Sequence, residues 1–422
     1  MAKVECFLLT LAILAVTAKD QCPSLGETRI IDNGVIKVGI DTARGGSITY
    51  LAESGTNHSV INLYDMGREV QLSFYSGPDK YEPSPGSNAC NSSWRRGNWP
   101  WNPIGAGDVM GHSGKVVELT TEKESLYVKS IPLQWACKNV PCECTFEKWI
   151  RLDKNAVLVD VRLVNKRSNH TQYTGYGQEL PAIYTIGSLY KVAAYSGVKP
   201  FTNDPALYMP PLEEPKAALG TEHWMALLDS NNWGLGVFQP STILFNGGFW
   251  EKPAGNYTPK DFPTGYIGPY HREILDWNIN YNYTFHLILG TLNMIREHAY
   301  QNVRVIENCL INEFVSDRRH FFLQNTNDTG IPNGAWEVNL FGQDPQTIGP
   351  NCFWNAEDHP ILSITAAYSS NLSSQVGQIF WNSVGVGDYF DEQNSLSFKV
   401  AADGQYHTYN LCLLYTSDAA DE

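Results

Sequence analysis

Charge is the scarcest commodity in this chain. Only 18% of its 422 residues are charged, and the 30 basic residues are outnumbered by 44 acidic ones, for a net charge of −14. An acidic chain of this kind has no electrostatic footprint for nucleic acid. No block of like charge exists that could form a tail or a membrane patch. Beyond the N-terminus no apolar run is long enough to span a bilayer, which takes about 20 residues, so membrane insertion is not expected. Phosphate-cradling glycine loops, a dinucleotide fingerprint, a G-x-S-x-G elbow and a metal signature are all missing. The "GAG" from Gly105 to Gly107 and the "GGFW" at Gly247 read as turn glycines, and neither a cofactor nor a metal is expected.

What is abundant points elsewhere. The hydrophobic fraction is 43%, aromatics reach 12%, and there are 35 glycines and 23 prolines, a composition of turn-rich all-β proteins. The length is too great for one ordinary domain. "MAKVECFLLTLAILAVTA" carries Lys3, an apolar run from Cys6 to Val16 and a small-residue end, so residues 1–18 read as a secretory leader cleaved after Ala18. Seven Asn-x-Ser/Thr triplets, at Asn57, Asn91, Asn169, Asn256, Asn282, Asn327 and Asn371, agree with an extracellular glycoprotein. Asn282 lies within a strand-like stretch, where access for modification is in question. Of 9 cysteines, Cys6 falls in the leader. The cluster "CKNVPCEC" has no second ligand cluster, so disulfides are expected rather than zinc.

Period-two alternation dominates. "CTFEKWIRLDKNAVLVDVRLVN" is the clearest hairpin: Val157, Val159, Val161 and Leu163 point one way, Asp160 and Arg162 the other, with Asp153, Lys154 and Asn155 at the turn. One helix is expected, over about Asn293 to Ile306, at a connection between two units divided near residue 310.

"NGVIKVGIDTARGGSITYLAESG" followed by "INLYDMGREVQLSFY" resembles the opening of galactose-mutarotase-like β-supersandwich proteins, with Gly45, Gly46, Gly67 and Arg68 carrying the match. The catalytic histidine pair of sugar epimerases has no counterpart at recognisable spacing. "AEDHPILSITAAY" with "SFKVAADGQYHTYNL" resembles galactose-binding-like jelly-roll modules. These resemblances imply an all-β chain: a large β-supersandwich over 19–310, then a smaller jelly-roll β-sandwich over 311–411. The closing "CLLYTSDAADE", residues 412–422, resembles translated sequencing adapter. On that reading the jelly roll is incomplete, its edge is unpaired and the tail lies loose.

Candidate chemistry lies in polar and aromatic clusters. In "NWPWNPIGAGDVMGHSG", Trp99 and Trp101 offer flat faces for pyranose stacking, with Asp108 and His112 behind them; the alternative is a long packed loop. In "YTGYGQELPAIYT", Glu179 among apolar neighbours is a candidate general acid, beside Tyr176 and Tyr184; the alternative is a glutamate pinning a loop. In "DMGREVQ", Arg68 could clamp a substrate carboxylate, with Gln71 nearby; the alternative is an Arg68–Asp65 ion pair. "GTEHWMALLD" contributes Glu222, His223 and Trp224, and "GYIGPYHREILDWN" contributes Tyr266, His271, Arg272 and Glu273, each a binding candidate or a structural edge.

Two mechanisms fit these residue types. A polysaccharide lyase would use Arg68 against a uronate carboxylate, His112 as base and Tyr176 or Tyr184 as acid. A glycoside hydrolase would use Glu179 and Asp108 as its carboxylate pair. The expectation is a secreted enzyme that cleaves a polysaccharide, lyase ahead of hydrolase. A non-catalytic lectin or matrix protein, and an enzyme for a small non-sugar substrate, are the alternatives. The expected partner is a polysaccharide or glycan, with neither nucleic acid nor membrane.

Overall fold

In the computed structural model the hairpin read from alternation sits at the centre of a sheet. Cys144–Asp153 and Ala156–Asn165 pair from Asp153↔Ala156 to Cys144↔Asn165. Lys154 takes the left-handed φ of 52° that so tight a turn requires. Val157, Val159, Val161 and Leu163 are buried, while Asp160 and Arg162 face outward. The structure describes residues 26–78, 81, 90, 100–209, 215–250, 257–277, 279–306, 310–315, 318, 320–331, 334–341, 343–370, 375–384 and 392–413. The leader 1–18, Trp99, the sequons at Asn91, Asn256 and Asn371, and residues 414–422 lie outside these.

Two nine-stranded antiparallel sheets face each other. The first runs Thr28–Asp32, Ile36–Asp41, Ser47–Glu53, Val70–Gln71, Ala182–Ile186, Thr264–Glu273, Leu244–Trp250 and Lys216–Leu219, with Tyr176–Glu179 added beside Thr264–Glu273. The second runs Leu207–Met209, Lys191–Ala194, Trp224–Leu228, Trp233–Phe238, Ile279–Thr291, Ala156–Asn165, Cys144–Asp153, Ser125–Ile131 and Lys115–Thr121. Their inner faces supply one continuous apolar cluster that includes Ile40, Leu51, Phe146, Val159, Ile183, Phe245, Ile267 and Phe285. The fold is thus an all-β sandwich.

The expected helix is present as Leu292–Gln301, followed by a 3-10 turn at Val303–Val305. Thr291 caps it, its hydroxyl accepting from Met294 N. The helix lies on the outer face of the second sheet, where Ile295 and Ala299 pack with Ala156, Trp224, Phe238 and Ile288. No helix among the described residues is long and apolar enough to cross a membrane.

Two buried histidines meet where this helix packs on the sheet, His286 Nδ1 of the strand and His298 Nε2 of the helix at 2.9 Å. Burial, reinforced by His298, pushes His286 down to about 3, and burial pushes His298 down to about 4. Unfolded histidines titrate near 6.5, so below that pH the unfolded chain binds protons that the folded one refuses. Stability should therefore fall as pH drops from about 6.5 through 4, by at most about 1.4 kcal/mol per pH unit for each histidine. Urea midpoints at pH 7 and pH 4.5 measure this loss, and His298→Leu should shrink it.

All three cysteines of "CKNVPCEC" are in disulfides, Cys137 with Cys90 and Cys142 with Cys144. Cys352 is also disulfide-bonded. From Phe322 onward the strands pair two by two: Phe322–Gln324 with Gln346–Ile348, Thr326–Gly330 with Glu337–Leu340, Ile361–Ser369 with Asp403–Cys412, and Gln375–Phe380 with Ser395–Val400. Phe322 and Leu323 pack with Ile274, just past Thr264–Glu273, and beside them Glu273 accepts from His320 Nδ1 at 2.6 Å and from the Tyr281 hydroxyl at 2.9 Å. The expected boundary at Leu411 is not a boundary of the strand. Cys412 pairs with Ile361, and Leu413 N donates to Pro360 O at 2.9 Å, because backbone pairing accepts any side chain. Cys412 is a free, exposed thiol.

Candidate functional site

The middle of the first sheet decides where its polar residues point. Antiparallel register places Tyr184 opposite Tyr266, Asn246 opposite Gly268, Glu179 opposite Tyr270 and Gln71 opposite Ala182. Opposed residues share a face, and alternate residues of one strand do too. Ile183, Phe245, Phe249 and Ile267 therefore enter the core. Glu179, Tyr184, Asn246, Trp250, Tyr266 and Tyr270 gather on the opposite face.

Glu179 is the hub of that face. Its Oε1 accepts from Asn246 Nδ2 at 2.9 Å, and its carboxylate accepts from the Tyr266 hydroxyl. Gly268 lies beneath: a Cβ there would come within 3.0 Å of the Tyr266 hydroxyl and 3.2 Å of Glu179 Cγ, so a side chain at this position would crowd the carboxylate. The Tyr184 and Tyr266 rings meet edge-on at 5.0 Å, and Trp250, 42% exposed, meets Tyr266 edge-on at 6.5 Å. Burial, then the charge of Glu179, pushes both tyrosine hydroxyls well above their ordinary range. Both therefore stay protonated at neutral pH, as donors rather than bases.

Arg68 borders the same cluster. Its guanidinium lies over the Tyr64 ring at 4.9 Å and over Phe262 at 4.6 Å, and its charge acts on Tyr184. It pairs with Asp65, Nε to Oδ2 3.4 Å, and donates through Nη1 to Phe262 O. The ion pair weighed from sequence is thus formed, and Nη2 is left without a partner among the described residues. The loop that carries Arg68 is held from below: Arg44 donates to Leu63 O at 3.2 Å, to Asp65 O, and to Glu69 Oε2 at 3.3 Å. Glu69 itself is fully buried and pushed up to about 8, by burial against the opposing charge of Arg44.

Other candidates from the sequence are placed differently. Gln71 is on the face, but its amide is spent on Gly67 O at 2.5 Å and on the Ser73 hydroxyl at 3.0 Å. Tyr176 lies beside Tyr75, rings 6.1 Å apart, and donates to Gly77 O at 2.9 Å. Asp108 is a correction. It is wholly buried, and accepts from the backbone N–H of Met110, His112 and Asn139 at 2.9, 3.0 and 2.6 Å and from His112 Nδ1 at 2.8 Å. It pins its own loop and presents no carboxylate outward; His112 is its partner there and makes no contact with Glu179. Trp101 is a second correction. It is 4% exposed, edge-on to Phe74 at 5.2 Å, and forms core rather than a stacking surface. His223 sits in the turn before Trp224–Leu228, with its Nδ1 3.3 Å from Gln239 O. His271 falls on the opposite parity from Tyr266 and Tyr270, opposite buried Gln178, and is itself 5% exposed. Both histidines are structural here.

Tyr266 drew notice from the sequence together with His271, and strand parity in "GYIGPYHRE" separates the two, placing Tyr266 and Tyr270 on the Glu179 side. Asn246 and Trp250, in "ILFNGGFW", gave no signal.

No family model matches this chain, and no curated protein matches its sequence. Solved structures are similar in part. A galactose mutarotase related enzyme from Lactobacillus acidophilus is 13% identical over 62% of this chain and 97% of its own, TM-score 0.38. A galactose mutarotase-like protein from Lactobacillus casei is 11% identical over 62% of this chain and 100% of its own, TM-score 0.38. The 4-alpha-glucanotransferase from Thermococcus litoralis is 11% identical over 63% of this chain and 40% of its own, TM-score 0.32. At these identities and TM-scores the likenesses say nothing of substrate or reaction.

Proposed function

We propose that the chain is a secreted carbohydrate-active enzyme that cleaves an acidic polysaccharide by β-elimination on the Glu179 face. Its supersandwich over 19–310 would carry the site, and the strands over 311–411 would serve as a glycan-binding module. The observation that carries this reading is the Glu179 carboxylate, held by Asn246 and Tyr266 on an aromatic face bordered by Arg68.

Each group has a role that its environment suits. Arg68 lies against the carboxylate of a uronic acid unit, with its free Nη2 as a donor, and makes the neighbouring C5 proton more acidic. Glu179 takes that proton. The C4–O4 bond breaks, the C4=C5 double bond forms, and the Tyr184 hydroxyl gives its proton to the departing oxygen. Trp250 and Tyr184 offer the sugar ring its apolar surface, with Tyr266, 3% exposed, packed edge-on against both. Glu179 replaces His112 as base, because His112 is occupied with Asp108. The hydrolase reading loses its second carboxylate, because Asp108 is buried under its loop. The exposed Trp250 ring favours one other reading, a lectin that binds through the same face and breaks no bond.

A panel of uronic-acid and neutral polysaccharides tests the reading. An unsaturated uronate product that absorbs in the ultraviolet is expected from the former only. Reducing ends without that absorbance would replace the lyase with a hydrolase, and binding without product would leave the lectin. Arg68→Gln should lower kcat/KM on a uronate chain by about tenfold to a hundredfold, the worth of a hydrogen bond to a charged group, as steady-state kinetics would show.

A further inference from the structure

The outer face of the second sheet carries two rows of side chains that cross four strands. Register aligns Tyr127, Trp149, Asp160 and Thr284 in one row, and Lys129, Glu147, Arg162 and Asn282 in the next. Every charge in these rows is matched: Arg162 with Glu147 at 2.5 Å, Lys129 with Glu147 at 3.8 Å, and Asp160 with Arg151 at 2.7 Å and with the Thr284 hydroxyl at 2.7 Å. Trp149 lies among them, 37% exposed, with Tyr127 at 5.3 Å and the Arg162 guanidinium at 5.6 Å. The helix Leu292–Gln301 covers the outer face of Trp224–Leu228 and Trp233–Phe238, but Trp149 stays open.

Asn282 begins the triplet Asn-Tyr-Thr. Although it lies in the strand Ile279–Thr291, it is exposed, and its amide has no hydrogen bond among the described residues. Asn169 differs: its Nδ2 donates to the Tyr173 hydroxyl at 2.7 Å and its Oδ1 accepts from Thr171 N at 3.0 Å.

We infer that Asn282 carries an N-linked glycan whose first sugars lie along this face, over Arg162 and against the Trp149 ring. The donor class is a lipid-diphosphate-linked oligosaccharide. The bond from Asn282 Nδ2 to the sugar's anomeric carbon forms as that carbon's bond to the diphosphate oxygen breaks, and the amide proton is passed to the departing lipid diphosphate. Trp149 lies two strand spacings from Asn282, about 10 Å, and one row along. That is within the reach of a short glycan. Arg162 lies between them as a hydrogen-bond donor, and the exposed Trp149 face is the apolar surface a pyranose covers. The inference stands whether or not the Glu179 face is catalytic.

The test uses full-length protein secreted from a eukaryotic host. Enzymatic glycan release in heavy-oxygen water, followed by peptide mass mapping, should mark Asn282 as a labelled aspartate in most chains. An unlabelled Asn282 would overturn the inference. For the seating, Tm is compared across wild type, Asn282→Gln, Trp149→Ala and the double variant. Asn282→Gln should lower Tm by about 2 °C or more in the wild-type background, a shift within reach of one lost contact, and by much less once Trp149 is gone. Equal shifts in the two backgrounds would show a glycan that never touches Trp149. If Asn282→Gln is not secreted, the same comparison is made on folded wild type and Trp149→Ala before and after enzymatic deglycosylation.

Discussion

Glu179→Gln should lower turnover by about a hundredfold to ten-thousandfold, the range that one positioned general base supplies. The substitution keeps the shape of the side chain and leaves an oxygen that can accept from Asn246 Nδ2. What it removes is the proton acceptor. KM and Tm should therefore move little, and the loss should appear in kcat, read as the initial rate of unsaturated uronate formation. Wild-type turnover in the glutamine variant would take the role of base away from Glu179. Asp108→Asn is the informative contrast. Asp108 accepts from three backbone N–H groups and one imidazole while wholly buried, so its replacement should lower stability first and activity only with it.

The largest loss of stability is expected from Glu222→Ala. Glu222 is wholly buried and accepts from Arg296 Nε at 2.9 Å and Nη2 at 2.8 Å, from the Tyr300 hydroxyl at 2.7 Å, from Trp224 Nε1 at 2.9 Å and from Phe201 N at 3.0 Å. One carboxylate thus ties the helix Leu292–Gln301 to the strand Trp224–Leu228. Its removal leaves the Arg296 guanidinium, 13% exposed, without its counter-ion. Breaking a buried pair by removal of one partner costs about 3–5 kcal/mol, which a urea midpoint would register. The double variant Glu222→Leu with Arg296→Leu should recover much of that loss, because it is the orphaned charge that costs most. An additive result would mean that the two residues act independently.

Strand alternation was legible at short range, and it was right where one strand sufficed. The valines of the Ala156–Asn165 strand turned inward as their spacing required, and Lys154 took the left-handed turn position. The helix was placed correctly; what the sequence did not show is that it covers a sheet, through Ile295 and Ala299. Single residues of unusual chemistry were harder. Trp101 and Asp108 drew notice as an aromatic and an acid in one loop, but burial gave both to the interior. An aromatic that can stack on a sugar and one that can fill a core are the same residue until its neighbours are known.

Glu179 and Arg68 drew notice from sequence, and each proved to border the aromatic face. Their company was not legible. Asn246 and Tyr266 lie 67 and 87 residues beyond Glu179, and only the pairing of three strands brings them to it.

By itself, then, the sequence determined that this is an acidic, aromatic-rich chain of alternating strands, and on each strand it determined which residues share a side. The reason is that a period of two belongs to the backbone and needs no partner. Which strands lie side by side, in what register, and so which polar residues meet, was decided only by the tertiary structure. Register depends on the burial of both faces of a sheet at once, and a slip of one residue would have sent Tyr184 and Tyr266 into the core and Ile183 and Ile267 out to the face where Glu179 now sits.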